Sequence, residues 1–100
     1  MKKIYNRNGD LITMAEWTML KLNREYNKVA QEQVGKYLVS TVWLGLDHAL
    51  SPNDPPAIFE TQVFENGVNE FQNLFMHRYP NEVAALAGHD QAIAWAREHS

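Results

Sequence analysis

The sequence predicts an α+β fold: a three- to four-stranded antiparallel meander sheet packed on one face by N-terminal helices and a C-terminal helix. Two β-rich runs at residues 38–44 and 57–64 flank one polar loop, and their Val, Thr and aromatic content is typical of half-buried strands. Helix signals lie before the first run and near the chain end. One hundred residues, 45% of them hydrophobic and 21% charged, suffice for one core, so we expect a single domain over residues 1–100.

The N-terminal segment predicts a short edge strand at residues 2–5 followed by a capped helix. Thr13 and Glu16 have capping-box spacing, in which each side chain accepts a hydrogen bond from the backbone N–H of the other residue. The box predicts a helix over residues 14–22. Trp17 on this helix is a candidate core anchor, because large aromatic side chains on an amphipathic helix usually face the core.

The next elements are a second helix and the remaining strand of the meander. Residues 23–33 predict a more polar helix or helical turn, which Gly35 ends. Asn66-Gly67 is a strong hairpin signal, because glycine accepts a positive φ without strain. Residues 69–79 then predict a third strand, antiparallel to the second β-rich run.

The last element is a helix predicted over residues 82–98, with Asn81 as its N-cap. A stripe of small residues recurs along it at every fourth position: Ala84, Gly88 and Ala92. Glycine in mid-helix costs roughly 1 kcal/mol relative to alanine, so Gly88 is expected to serve close packing. His89 is expected to make a partly buried polar contact.

Turn geometry gives an expected register for the sheet. A two-residue turn at Asn66-Gly67 and a central loop over residues 45–56 predict four cross-strand pairs: Ile58 with Phe75, Glu60 with Asn73, Trp43 with Ile58, and Thr41 with Glu60. The helices are expected to cover an apolar face: Val42, Leu44, Phe59, Val63, Leu74 and Met76. The other face carries the polar row Thr41, Glu60 and Asn73 between two largely apolar rows, Trp43-Ile58-Phe75 and Val39-Gln62-Phe71.

That second face mixes polar and apolar side chains, so we expect a second copy of the protein to cover it or a ligand to bind against it. A homodimer packed sheet to sheet would bury its aromatic residues, and a ligand cleft rimmed by the face would use them. The candidate ligand-binding residues are those of the face and the adjoining loop: Thr41, Trp43, Asp47, His48, Glu60, Asn73 and Phe75.

Asp47 and His48 are the candidate chemistry, with Glu60 as a third catalytic candidate. A carboxylate bonded to one ring nitrogen of His48 would leave the other nitrogen free as a base. The structural alternative is that Asp47 holds the loop by accepting from backbone N–H groups, while His48 donates to a carbonyl. Neither a recognisable metal-ligand spacing nor a cofactor motif accompanies the pair, so we expect no metal site and no cofactor.

Charge and composition exclude several classes of partner. The formal net charge is −3, and the nine Lys and Arg residues are scattered, whereas duplex DNA binding requires clustered basic side chains. Cysteine is absent, which leaves no disulfide framework or thiolate site. Lys2-Lys3 is not followed by an apolar run of signal-peptide or membrane-helix length. We therefore expect no membrane association and a cytoplasmic location.

The central stretch resembles a small family of mostly hypothetical proteins from bacteriophage and some bacterial genomes. The shared pattern runs through most of the chain: residues 12–17, Val34-Gly35, Ser40-Thr-Val-Trp-Leu-Gly-Leu-Asp-His48, Pro55-Pro56, Ile58-Phe-Glu-Thr61, Val63-Phe64, Arg78-Tyr79, Glu82 and Ala85-Leu-Ala-Gly-His89. Gln62 and Pro80-Asn81 depart from it, since methionine and a Ser or Thr cap are usual there. The resemblance implies a phage setting and the host cytoplasm rather than a reaction.

Two functions from different classes are consistent with these observations. The first is a phage accessory protein that counters host defence by binding a nucleotide-like signal molecule or a host defence protein, as a small homo-oligomer, with a dimer favoured. The second is a small hydrolase or transferase that uses Asp47 and His48 as an acid–base pair. A structural or regulatory phage protein without a ligand is a third alternative. We expect binding rather than catalysis.

Overall fold

The computed structural model describes residues 2–67 and 75–100. Its elements follow in chain order: α1 (Met14–Lys21), α2 (Arg24–Asn27), β1 (Lys28–Val34), β2 (Tyr37–Trp43), β3 (Phe59–Glu65), β4 (Phe75–Tyr79) and α3 (Glu82–His99). The four strands form one antiparallel meander in the order β1-β2-β3-β4. The predicted α+β class, with N-terminal helices and a C-terminal helix on the sheet, is confirmed. In the described ranges no helix has the length and apolar character needed to cross a membrane.

The helix termini follow their local sequence signals. In α1, Thr13 Oγ1 accepts from the Glu16 N–H and the Glu16 carboxylate accepts from the Thr13 N–H, so the capping box is formed on both sides. Asn81 caps α3 by accepting from the Ala84 N–H at 2.8 Å. Trp17 packs against the core and donates from Nε1 to the Leu44 carbonyl at 3.0 Å, which confirms its role as an anchor.

The predicted second helix over residues 23–33 is wrong beyond its first turn. Helix α2 ends at Asn27, and the next seven residues form edge strand β1. Gly35 and Lys36 make a tight turn with Gly35 at φ +57°, which places Val34 opposite Tyr37. Pairing with β2 therefore overrides the weak helical spacing of this polar segment, because strand formation depends on the neighbouring strand more than on intrinsic propensity.

The register between β2 and β3 differs by one residue from the prediction. Thr41 lies opposite Thr61 and Trp43 opposite Phe59, instead of Glu60 and Ile58. The N–H groups of Leu44 and Gly45 both donate to the Ile58 carbonyl, at 2.7 and 3.3 Å. Because the two amides share this acceptor, the pairing of β2 with β3 is shifted by one residue from the expected register. A shift of one residue turns every β3 side chain to the opposite face relative to its neighbours on β2.

The register between β3 and β4 also differs from the prediction. Val63 pairs with Phe75 and Glu60 with Arg78, so the expected pairs of Ile58 with Phe75 and Glu60 with Asn73 are wrong. The predicted strand over residues 69–79 is observed from Phe75. The expectations for Asn73, and for Phe71 and Leu74, fall on residues 68–74, which lie outside the described residues.

The sheet has an inner face covered by α3 and an outer face turned away from it. The inner face holds buried side chains from three strands: Tyr37, Val39, Thr41, Trp43, Phe59, Thr61, Val63 and Tyr79. The outer face holds Leu38, Ser40, Val42, Glu60, Gln62, Phe64, Met76 and Arg78. The prediction that Val42 and Met76 belong to the core face with Phe59 and Val63 is therefore wrong.

Helix α3 lies close to the inner face because its contact side is made of small residues. Ala85, Gly88, Ala92 and Ala96 are all buried. A Cβ added to Gly88 would overlap the hydroxyl end of the Tyr79 side chain, so the expected close-packing role of this glycine is confirmed. Arg7 joins the N-terminal segment to the same helix by donating to the Glu82 carboxylate at 2.7 Å and to the Tyr26 carbonyl at 3.1 Å.

Candidate functional site

The structure does not bring the predicted site residues together. Thr41 and Trp43 are fully buried on the inner face, Thr41 beside His89 of α3 and Trp43 beside Tyr26 of α2. Phe75 packs against the inner core beside Trp95. Glu60 projects from the opposite face, where it pairs with Arg78. The side chains proposed to line one mixed face are thus divided by the sheet itself, as the one-residue change of register requires.

Thr41 belongs to a buried polar network at the centre of the inner face. Its Oγ1 lies 2.5 Å from Thr61 Oγ1 and 2.7 Å from His89 Nδ1. Both threonines are fully buried, and His89 is 6% exposed, which confirms the expected polar contact of the histidine. Burial lowers the pKa of His89, while the Asp90 and Glu32 carboxylates act in the opposite direction. The network satisfies polar groups inside the core, as buried hydroxyls require.

Asp47 holds the central loop through its carboxylate. Its Oδ1 accepts from the Ala49 N–H at 2.8 Å and from the Ala57 N–H at 2.9 Å. Burial raises the pKa of Asp47, but the Ala57 and Ala49 amide donors, together with the charges of Lys2 and His48, outweigh that effect and lower the pKa. The Asp47 N–H itself donates to the Lys3 carbonyl at 3.1 Å. These contacts correspond to the structural alternative weighed for Asp47.

His48 is oriented by backbone groups and not by its acidic neighbour. Its Nδ1 lies 2.7 Å from the Leu46 carbonyl oxygen, which can only accept, so Nδ1 carries the proton and donates. Nε2 is then the unprotonated nitrogen of the neutral ring. The His48 backbone N–H donates to the Ala57 carbonyl at 3.0 Å. The third catalytic candidate, Glu60, accepts from Arg78 Nε at 2.8 Å on the outer face.

The N-terminal segment and the central loop form one cleft, here called the loop cleft. It measures about 440 Å³, and its charged lining residues are Lys2, Lys3, Asp47 and Asp54. Two positive and two negative side chains leave this lining without a formal net charge. Asp47 already accepts hydrogen bonds from two backbone amides. The loop cleft therefore offers a ligand balanced charges, and one of its carboxylates already has partners within the protein.

A second cleft, here called the basic cleft, lies where α1 and α2 meet the outer face of β1 and β2. It measures about 450 Å³ and is lined by Lys21, Arg24, Glu25, Asn27, Lys28, Gln31, Ser40 and Val42. Three of these residues are basic and one is acidic. Sequence reasoning missed the cleft, although residues 21, 24 and 28 have the spacing of one helical face. The cleft forms because the chain leaves α2 at Asn27 and turns into β1.

The floor of the basic cleft is held by defined hydrogen bonds. Lys21 Nζ donates to the Trp43 carbonyl at 3.1 Å and lies 5.3 Å from the centre of the Trp43 ring system. Burial lowers the pKa of Lys21. Asn27 Nδ2 lies within hydrogen-bonding distance of three carbonyls, those of Leu20, Lys21 and Asn23. The end of α1 is thereby fixed to α2 and to the end of β2.

Within the described ranges, no group of three or more His, Asp or Glu side chains is placed to hold a metal ion. Comparisons with protein-family models, with curated proteins and with solved structures found no match for the chain. The resemblance to a phage and bacterial family therefore stays a prediction.

Proposed function

We propose that the protein acts by binding a small, nucleotide-like signal molecule in the basic cleft, and that it does so as a phage accessory protein that counters host defence. The observation that supports binding at this place is a concave site of about 450 Å³ that is lined by three basic residues, of which Lys21 is held by a hydrogen bond to the Trp43 carbonyl. Small-ligand sites span roughly 300–1,000 Å³. The phage setting and the defence role come from the resemblance and remain part of the proposal.

Binding is favoured over the acid–base alternative by how the candidate catalytic groups are used. Asp47 accepts from two loop amides, and His48 donates to the Leu46 carbonyl. Glu60 is paired with Arg78 on another face. The alternative of an acid–base pair requires one of these carboxylates within hydrogen-bonding reach of the His48 ring, and each of them has another partner. Their contacts support a structural role in the loop and the sheet.

The proposal includes a small homo-oligomer, with a dimer favoured. Outside the basic cleft, the outer face carries three apolar side chains that the sheet alone leaves partly exposed: Leu38, Phe64 and Met76. A second copy packed sheet to sheet would cover them. Phe64→Asp should then shift the protein to a monomer in light scattering, while Val83→Asp on the exposed side of α3 should not.

A host defence protein is the second candidate ligand, and α1 supplies the observation in its favour. Met14, Met19 and Leu22 are 57%, 69% and 76% exposed, although long apolar side chains on a short helix usually face a core. An apolar groove of a host protein would cover them. Met19→Glu should then abolish the complex with the host protein and leave small-molecule binding unchanged.

Thermal melting against cyclic di- and trinucleotides and ADP-ribose derivatives tests the proposed function. A ligand at 100 times its Kd adds about 2.7 kcal/mol of stability, and it should be recovered unchanged after denaturation. Gln31→Trp would fill the basic cleft and remove the shift. Gln33→Trp is the matched control, because Gln33 is exposed on the same strand and lies outside the cleft lining. A flat panel, or a ligand recovered in altered form, would contradict the proposal.

A further inference from the structure

We propose that the basic cleft is an anion site in which Lys21, Arg24 and Lys28 together bind the phosphate groups of the ligand. This inference rests on the proposed function for the use of the cleft and adds the chemistry by which the ligand is recognised. Glu25, Gln31 and Ser40 of the lining would then orient the ligand. The phosphate groups of the ligand would supply most of the attraction.

The lining of the basic cleft has an excess of positive charge. The chain carries a formal net charge of −3 with nine basic residues, yet three of those nine line one cleft beside a single carboxylate, Glu25. The ion pairs in the described part of the chain use other cations: Arg7 with Glu82, Lys36 with Glu65, and Arg78 with Glu60. An anion entering the cleft would meet positive groups that the described fold does not neutralise.

Lys21 lies where its ammonium group has lost part of its hydration. Its ammonium group is partly buried, and its protein contacts are a backbone carbonyl and the Trp43 ring. A carbonyl dipole replaces only part of the hydration that the ammonium group has lost, whereas a phosphate oxygen would supply a full opposite charge. The same burial lowers the pKa of Lys21. The fold thus holds a cation in place before any ligand arrives, which reduces the entropy lost on binding.

The other side chains of the basic cleft are complementary to a ligand that carries phosphate groups. Arg24 offers a planar fork that can bind two phosphate oxygens at once, and Lys28 offers a compact point charge at the start of β1. Ser40 and Gln31 lie directly opposite each other on β2 and β1 and supply neutral polar groups. Val42 adds an apolar contact. This set fits a molecule with two or more phosphate groups and a small uncharged portion.

The loop cleft provides the internal comparison, because it has a similar volume and two lysines. Its lysines face two aspartates, and Lys2 is already close enough to Asp47 to favour ionisation of that carboxylate. A phosphate that approaches the loop cleft would meet two positive and two negative side chains. The two clefts should therefore differ sharply in anion binding while having about the same size.

Titration calorimetry with inorganic pyrophosphate at low salt tests the inference. Wild type should bind saturably, and Arg24→Gln and Lys28→Gln should each weaken binding roughly tenfold or more, since each removes a charge-assisted hydrogen bond. Lys3→Gln in the loop cleft should change the affinity far less than either of these variants, because Lys3 lies outside the basic cleft lining and can act on its ligand only at long range. Unchanged far-UV circular dichroism would establish that each variant is folded.

The outcomes separate this inference from the proposed function. Absence of pyrophosphate binding, or an equal loss in Lys3→Gln, would overturn the anion site. A panel nucleotide whose affinity falls in Gln31→Trp but not in Arg24→Gln/Lys28→Gln would overturn it too, and would leave the cleft as a binding site. Pyrophosphate binding that follows the expected variant pattern, with no response to any panel nucleotide, would support the anion site and contradict the proposed function.

Discussion

The inner and outer faces of the sheet both mix apolar and polar side chains, but they use the polar ones differently. On the inner face, Thr41 bonds to Thr61 and to His89 of α3, and all three are buried between the sheet and the helix. On the outer face, Ser40 and Gln62 occupy the adjacent pair of positions and remain half-buried. A polar side chain under a helix must find its partner inside the protein, whereas one on an open face can offer its groups to another molecule.

The difference shows why a row of polar residues in a strand does not identify a binding face. Thr41 is a reasonable ligand contact from sequence, because polar and largely apolar rows alternate across the expected sheet face. In the fold, the same alternation builds a core with a hydrogen-bonded centre between two apolar clusters, one around Val39 and Val63 and one around Trp43 and Phe59. We therefore propose the outer face and the basic cleft at its edge, and not the row of Thr41, as the surfaces available to a ligand.

Two phenylalanines on β3 give the largest expected contrast between the faces. Phe59 is fully buried on the inner face, and Phe64 is half-buried on the outer face. Phe59→Ala should lower the free energy of unfolding by about 3–5 kcal/mol, because it leaves an enclosed cavity. Phe64→Ala should cost roughly 1–2 kcal/mol, because solvent or neighbouring chains reach the vacated space. Urea unfolding measures both, and equal losses would contradict the assignment of the faces.

The contact between α3 and the inner face predicts a smaller loss for an added methyl group. Gly88→Ala should destabilise the fold by about 1–3 kcal/mol, because the new Cβ would overlap the Tyr79 ring. Helix propensity alone would favour alanine by about 1 kcal/mol. The control is Ala94→Gly at an exposed position of the same helix, which should cost about 1 kcal/mol from propensity. A stabilised Gly88→Ala variant would show that the helix lies farther from the sheet.

Neighbouring polar residues on β3 sharpen the comparison further. Thr61→Val keeps the volume but removes the hydroxyl that meets Thr41, so it should lower stability by about 1 kcal/mol. Gln62→Val on the outer face should change stability by less than about 0.5 kcal/mol, as surface substitutions generally do. Guanidinium chloride denaturation would measure the pair. A larger loss for Gln62→Val would indicate that the outer face is the structural one.

The smallest expected effect is a pH dependence from the His89 ring. Its pKa is lowered in the folded protein, chiefly by burial, so the unfolded chain binds its proton more readily. The resulting stability is fully present above the ordinary value of 6.5 and is lost as pH falls from there through the folded pKa. The charged groups that act on the ring are Asp90 and Glu32. They raise its pKa and reduce the effect.

Melting temperatures measured between pH 7.5 and 5 would detect this loss. His89→Gln should flatten the profile in that range, while His99→Gln at the exposed end of α3 should leave it unchanged. Asp47 and Glu82 also have lowered pKa values, Asp47 through its backbone amide donors and Glu82 through its hydrogen bond from Arg7. Their ordinary values are 3.8 and 4.5, so their stabilisation is lost only at lower pH. An unchanged slope in His89→Gln would contradict the buried network.

Features with a local physical cause could be predicted from the sequence. The capping box of Thr13 and Glu16, the N-cap of Asn81 and the close approach at Gly88 each depend on a few neighbouring residues and their hydrogen bonds or volumes. Residues 28–34 could not be assigned in this way. Their composition is polar, and they become a strand because Val34 and its neighbours find partners on β2.

The division of the site could not be predicted, because it depends on a single residue of register. Alternation along β2 correctly grouped Thr41 with Trp43, but the geometry of the central loop decided which β3 residues joined them. The shared acceptor at Ile58 has no signature in the sequence. Predicting the basic cleft would require even more information, because its basic residues come from α1, α2 and β1 and are brought together by the turn after Asn27. Their spacing at residues 21, 24 and 28 was the only signal available.

The most direct test of the binding assignment is an NMR titration of the ¹⁵N-labelled protein with pyrophosphate, following every backbone amide. The account predicts saturable shift changes that cluster at residues 21–31 and 40–42, where the end of α1 meets the outer face. Changes centred on residues 47–56 would move the site to the loop cleft. That result, or a spectrum that does not change, would contradict the basic cleft as the site at which this protein binds its ligand.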